Sequence, residues 1–142
     1  MSSEINLALV GASGVVGKKI ISLLEKKNVK VKNFYPLGSS SVGDKISFND
    51  QIFEIESLSN FDCASVDVAI FSAGSSVARD YAPDFVKKGV YVVDLSSEFR
   101  YEEDIPLIIP EINPQALIDA DGPILIANPN CSVSQLLIAI EP

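Results

Sequence analysis

The chain has 142 residues, 47% apolar and 21% charged, with a net charge of −8 at neutral pH and no histidine. That length suits one domain able to bury roughly 68–70% of its unfolded surface. The composition argues against disorder, and an acidic balance without basic runs longer than lysine pairs argues against nucleic acid or an anionic membrane as a partner.

Cys63 and Cys131 show no metal-ligand spacing and no disulfide framework. No apolar run approaches the roughly 18 residues of a membrane span. The opening "MSSEINLALVGASG" lacks the basic flank and cleavage site of a signal peptide, so a cytoplasmic protein is expected.

In chain order, "INLALV" (5–10) reads as a short strand bounded by Gly11. From Val15 to Lys27 the apolar residues Val16, Ile20, Leu23 and Leu24 recur at helical spacing. "VKNFYPL" (31–37) reads as a second strand, "GSSSVG" (38–43) as a loop, and "KISFNDQIFEI" (45–55) as a hairpin turned at Asn49-Asp50. "VDVAIFS" (66–72) and "VYVVDLS" (90–96) read as buried strands on either side of a helix over 77–89 that stops at Gly89. After "PLIIPEIN" (106–113) come a helical "PQALIDAD" (114–121), a strand "PILIANP" (123–129) and a helix "SVSQLLIAIE" (132–141). This alternation implies an α/β fold, Rossmann-like and doubly wound, with a mainly parallel sheet in a single domain over 1–142.

Glycines 11, 14 and 17 of "GASGVVG" fall directly after a strand and at the start of a helix. In that context Gly11 permits a tight turn, Gly14 lets the backbone approach a pyrophosphate, and Gly17 allows close helix–strand packing. The helix N-terminus adds an attraction for negative charge. A glycine-rich turn without a ligand is the plainer reading. An NAD site usually carries an acid roughly 20 residues beyond the glycines to hold the ribose hydroxyl. Between Asn28 and Gly43 there is none, and Ser39, Ser40 and Ser41 stand there instead. Hydroxyls and free amides can bond a 2′-phosphate, and Lys45 could add charge, so NADP is favoured over NAD.

"NPNCS" (128–132) places Cys131 between two helix-capping residues, Asn130 and Ser132, with Pro129 fixing the turn. A helix N-terminus favours the nucleophilic thiolate. The alternative is a buried cysteine acting as a small hydrophobe, which is the reading given to Cys63. The helix that follows Cys131 is too apolar to have one covered face, and another layer of protein over it is expected.

Taken together and in this order, "GASGVVG", "FSAGSS" (71–76), "DLSSEFR" (94–100), "IPEIN" (109–113) and "NPNCS" resemble the N-terminal, dinucleotide-binding part of the bacterial aspartate-semialdehyde dehydrogenases. The resemblance covers essentially the whole chain. N-acetyl-γ-glutamyl-phosphate reductases are the related alternative, but they usually carry glycine before the cysteine where this chain has Asn130. A non-catalytic NADP-binding module is the competing class.

The resemblance implies that Ser13, Gly14, Val15 and Val16, next to Gly11, contact the NADP pyrophosphate. It implies that Ser40 and Ser41 take the 2′-phosphate site, where the family's usual arginine is missing, and that Ala73 and Gly74 run past the nicotinamide. Arg100 would grip the substrate phosphate, Asn130 would position the nucleophile, and Cys131 would be that nucleophile; no metal is implied. The reaction implied is reductive dephosphorylation of L-aspartyl 4-phosphate to L-aspartate 4-semialdehyde through a thioacyl intermediate, in lysine, threonine and methionine biosynthesis. The family's histidine base and substrate-clamping arginine lie in a second domain expected outside these 142 residues. The resemblance therefore implies a homodimeric full-length enzyme and a chain that binds cofactor without turnover.

Overall fold

Short apolar strands separated by helices favour a parallel sheet, because parallel neighbours need a long crossover rather than a tight turn. The computed structural model of the chain describes residues 4–118 and 120–141. Its strands are β1 (Ile5–Val10), β2 (Val31–Gly38), β3 (Lys45–Phe48), β4 (Gln51–Glu54), β5 (Glu56–Ser57), β6 (Val68–Phe71), β7 (Tyr91–Asp94) and β8 (Leu125–Ala127). Its helices are α1 (Val15–Lys26), α2 (Ser75–Lys87), α3 (Gln115–Ile118) and α4 (Cys131–Ile140).

Six strands make one sheet in the order β5-β2-β1-β6-β7-β8, with every pair parallel. From β1 the chain builds outward on one side through β2 and β5 and on the other through β6, β7 and β8. The strand order therefore switches between β1 and β6, where a doubly wound sheet opens a crevice at its carboxyl edge.

Strand β1 shows why the sheet is covered on both faces. Leu7 and Leu9 join a cluster with Ile21 of α1, Phe34, Phe48 and Ile55, while Ala8 and Val10 join a second cluster with Phe71, Ala82, Phe85 and Val92. The period of two divides a continuous apolar run between two cores. On the first face the β3–β4 hairpin contributes Phe48 and Phe53, whose rings lie 4.6 and 5.3 Å from that of Phe34. On the second, Phe85 of α2 meets Phe71 edge-on at 5.3 Å.

The hairpin turns at Asn49 and Asp50, both with positive φ, as a two-residue turn matched to strand twist requires. Helix α2 ends as expected at Gly89, whose amide reaches Val86 O while the Val90 amide reaches Phe85 O, closing the last turn. Asn28 does the same for α1, with φ +51 and the Val29 amide on Leu24 O.

Two expectations need correction. The buried face of α1 is centred on Gly17 and Ile21, with Ile20 and Leu24 at its margin, whereas Val16 and Leu23 are 52% and 41% exposed. Helical spacing fits several overlapping stripes, and the close approach of Gly17 to the turn before it selects among them. The helical segment over 114–121 is a single turn, α3, with Asp119 outside the described residues. By contrast α4 forms over its expected length with no buried residue, leaving Val133, Leu136, Ile138 and Ile140 exposed. Among the described residues no helix is long and apolar enough to cross a membrane, and no group of three or more potential ligands could hold a metal.

Candidate active site

The carboxyl ends of β1, β2 and β6 surround a cleft of about 200 Å³. Gly11, Ser13 and Gly14 line it from the turn after β1, Ser39, Ser40 and Ser41 from the loop after β2, and Ser72 and Ala73 from the turn after β6. Two glycines, Gly11 and Gly17, are sterically required. Gly11 has φ +86 and a Cβ there would stand 3.0 Å from the Ser72 backbone; at Gly17 a Cβ would stand 2.3 Å from Gly11 O. Gly14 caps α1 without a side-chain bond, no acid occupies the first turn, and the amides of Val15 and Val16 have no backbone partner among the described residues. Unpaired amides at a helix N-terminus are a ready anion cradle.

Opposite that cradle, Ser13 Oγ donates to Ser41 Oγ at 2.8 Å and ties the glycine turn to the serine loop. The tie depends on Gly38, because a Cβ at that position would lie 2.7 Å from Ser41 Oγ. Lys45 lies on β3 and is not among the cleft's lining residues.

A smaller cavity of about 130 Å³ shares Ser72 with the cleft and adds Val16, Gly74, Leu95 and Ser96. It leads to the loop after β7. Asp94, fully buried at the end of that strand, accepts from the Ser96 amide at 3.1 Å and the Ser96 hydroxyl at 2.6 Å. Burial pushes the Asp94 carboxyl above the usual carboxylate range, against the opposing pull of the two Ser96 bonds and the Arg100 charge. The loop is also pinned from α2, where Arg79 Nη2 donates to Glu98 Oε2 at 2.8 Å and the hydroxyls of Ser75 and Ser97 lie 3.2 Å apart.

Arg100 closes this loop onto the next strand. Its Nε donates to Asn128 O at 3.0 Å and its Nη2 to Leu95 O at 3.2 Å, while Nη1 has no protein partner among the described residues. The Asn128 amide in turn donates to Asp94 O at 2.8 Å. Three residues on, Cys131 opens α4 and is exposed. Asn130 caps the helix, its Oδ1 accepting from the Ser132 amide at 2.9 Å, with Cys131 Sγ donating to the same oxygen at 3.9 Å. The amides of Cys131 and Val133 have no partner among the described residues, so the end of α4 that carries the thiol keeps unpaired donors. Cys63 differs in every respect: it is buried, and burial pushes its thiol up.

Two larger cavities, each about 330 Å³, lie against the hairpin and beside the C-terminal part of α2. They contain none of the predicted site residues, and size alone does not outweigh the convergence of glycines, free amides and a thiol at the sheet's carboxyl edge.

Residues 6–120 match the family described as semialdehyde dehydrogenase, NAD binding domain. The chain belongs to the semialdehyde dehydrogenase family. Over its whole length it is 44% identical to the aspartate-semialdehyde dehydrogenase of Shewanella violacea and 46% identical to that of Legionella pneumophila, covering 42% and 41% of those proteins. The crystal structure of aspartate semialdehyde dehydrogenase II from Vibrio cholerae, complexed with ASA, superposes with a TM-score of 0.94 at 38% identity, over 99% of this chain and 46% of that one. The chain therefore spans less than half the length of these relatives. The semialdehyde dehydrogenase match ends before Cys131, but the alignments to both relatives extend through it.

Of the residues singled out from sequence, the structure gathers Gly11, Ser13, Gly14, Ser40, Ser41 and Ala73 in the cleft and Val16 and Gly74 in the adjoining cavity. Val15 lies 89% exposed on the first turn of α1. Sequence reasoning missed Gly38, whose signal was a glycine at the very end of a strand. It also missed the joint between Asp94, Arg100 and Asn128, which has no local signal because its bonds link segments far apart in the chain.

Proposed function

We propose that this chain is the nicotinamide-binding, thiol-bearing part of an NADP-dependent aspartate-semialdehyde dehydrogenase that converts L-aspartyl 4-phosphate to L-aspartate 4-semialdehyde. The observation that carries the reading is the placement of an exposed cysteine at a capped helix start, joined through Arg100 to the wall of the small cavity that adjoins a glycine-lined cleft. Identity of 44–46% to enzymes of that name supports the substrate assignment.

The cleft fits a dinucleotide: the glycine turn that lines it leads into the start of α1 with its unpaired amides, and Gly11 stands where a Cβ would crowd the Ser72 backbone. Facing hydroxyls of Ser13 and Ser41, with Ser40 beside them, suit a 2′-phosphate in a loop with no acid. In the reaction, the Cys131 thiolate attacks the acyl carbon, the carbon–oxygen bond to phosphate breaks, and a thioester forms on the sulfur. The free Nη1 of Arg100 can donate to an oxygen of the departing phosphate. When bound, the nicotinamide supplies the hydride that reduces this carbon to the aldehyde level. Collapse of the resulting hemithioacetal returns the Cys131 thiolate and frees the aldehyde.

The 142 residues contain no histidine to move protons. In this reading the base and the clamp for the substrate's α-carboxylate belong to a second domain that also makes the enzyme a homodimer. The chain alone binds cofactor with negligible turnover. The enzyme serves lysine, threonine and methionine biosynthesis.

Thermal unfolding with each cofactor tests the cleft, since a ligand at a hundred times its Kd stabilises the native state by about 2.7 kcal/mol. NADP is expected to raise Tm more than NAD at equal concentration. Gly38→Ala, which forces the Ser41 hydroxyl off Ser13, is expected to bring the two shifts together. An equal or larger shift with NAD in the unaltered chain overturns the NADP assignment.

A further inference from the structure

Arg100 uses two of its three nitrogens on backbone carbonyls, and the two carbonyls belong to opposite sides of the site. Leu95 O lies in the loop that walls the cavity shared with Val16 and Gly74, and Asn128 O opens the turn that carries Cys131. Both ends of this connection are stiff. The 95–100 loop is held by Asp94, by Arg79 and by the buried ring of Phe99. On the far side Asn128 is bonded back to Asp94 O, and Pro129 is buried with its φ fixed. Few torsions therefore remain free between the guanidinium and the sulfur.

We infer that Arg100 is a positioning residue for Cys131: by bridging Leu95 O and Asn128 O it sets the thiol-bearing turn at a fixed place relative to the cofactor wall. This rests on reading Cys131 as the nucleophile. It adds to Arg100 a role separate from holding phosphate, for which Nη1 stays available. A planar guanidinium can hold two carbonyls in a fixed fork, whereas a lysine ammonium is a single point on a flexible stem. Arg100→Lys thus keeps the charge and removes the bridge. Without the bridge the turn loosens, the first turn of α4 frays, and the thiol loses its fixed place at the helix start.

The test is alkylation of the 142-residue chain by neutral iodoacetamide and by anionic iodoacetate, read separately at the two cysteines by mass spectrometry. In the unaltered chain Cys131 should react faster than a free cysteine derivative. In Arg100→Lys both rates at Cys131 should fall together by about tenfold, the size of one charge-assisted hydrogen bond, while Cys63 stays unlabelled. Unchanged rates in Arg100→Lys overturn the inference, as does a change confined to iodoacetate, which marks a purely electrostatic role. If Cys131 in the unaltered chain is no faster than the free derivative, the nucleophile reading fails and the inference fails with it. If Arg100→Lys exposes Cys63 by unfolding, the unaltered chain decides by NMR. A slowly exchanging Arg100 Nε–H then supports the bridge, and exchange as fast as that of a solvated arginine overturns it.

Discussion

Asp94 is the least expected residue of the site, an acid with 0% exposure at the end of a strand whose neighbours are valines. It survives there because Ser96 gives it two hydrogen bonds and Arg100 lies near enough to offset part of its charge. Burial still dominates, so its folded pKa lies above its unfolded one. The folded state then binds the proton more tightly. Asp94's contribution to stability is fully present below the unfolded value of about 3.9 and is lost as pH rises through the raised folded value. Comparing urea unfolding with that of Asp94→Asn isolates this effect. The stability of the unaltered chain minus that of the variant should fall as pH rises above the unfolded value of about 3.9, then level off above the raised folded value; a difference that grows with pH contradicts the assignment.

At the same scale, the placement of Gly11 and Gly14 in the turn before α1 and of Cys131 at the start of α4 was legible because each depends on its own backbone and immediate neighbours. The bridge made by Arg100 was not, since the same arginine in the same motif is compatible with a surface ion pair, a phosphate ligand or a backbone clip, and only tertiary geometry distinguishes them.

Among the elements, α1 makes the sharpest test of what periodicity can say. Ile21 is 5% exposed and packs with Leu7, Leu9 and Phe34, while Leu23, two residues on, is 41% exposed. Ile21→Ala should cost about 2–5 kcal/mol by loss of transfer energy and the cavity it leaves. Leu23→Ala should stay within about 1 kcal/mol of the unaltered chain, as for a partly exposed site. Chemical denaturation of the two variants measures both, and comparable losses would contradict the packing described for this helix. Strands β1, β2, β6 and β7 and the β3–β4 hairpin were readable because apolar runs and an Asn-Asp turn carry their own signal. Strand β5 was not, because its two residues are extended mainly by pairing with Leu37 and Gly38. α3 fell short of its expected length because no residue of it is buried, leaving a weak helical segment without tertiary support.

For the molecule as a whole, the sheet brings the glycine-lined cleft and Cys131 to one edge, while α4 projects an apolar surface with no partner among the described residues. The two facts belong together in the proposed enzyme: the thiol is placed by this chain, and the groups that move protons and clamp substrate come from another part of the protein. Positioning can supply roughly 7–11 kcal/mol of barrier reduction and acid–base catalysis typically another 10²–10⁴-fold, so most of the rate is expected to require that second part. The decisive measurement is phosphate-dependent NADP reduction with aspartate semialdehyde, made on a hybrid in which these residues replace the matching segment of the Legionella pneumophila relative. The hybrid should turn over, the 142-residue chain alone should show negligible rate, and Cys131→Ser in the hybrid should lower kcat by at least about 10³-fold. A Cys131→Ser hybrid as active as its parent would contradict the assignment of Cys131 as the nucleophile.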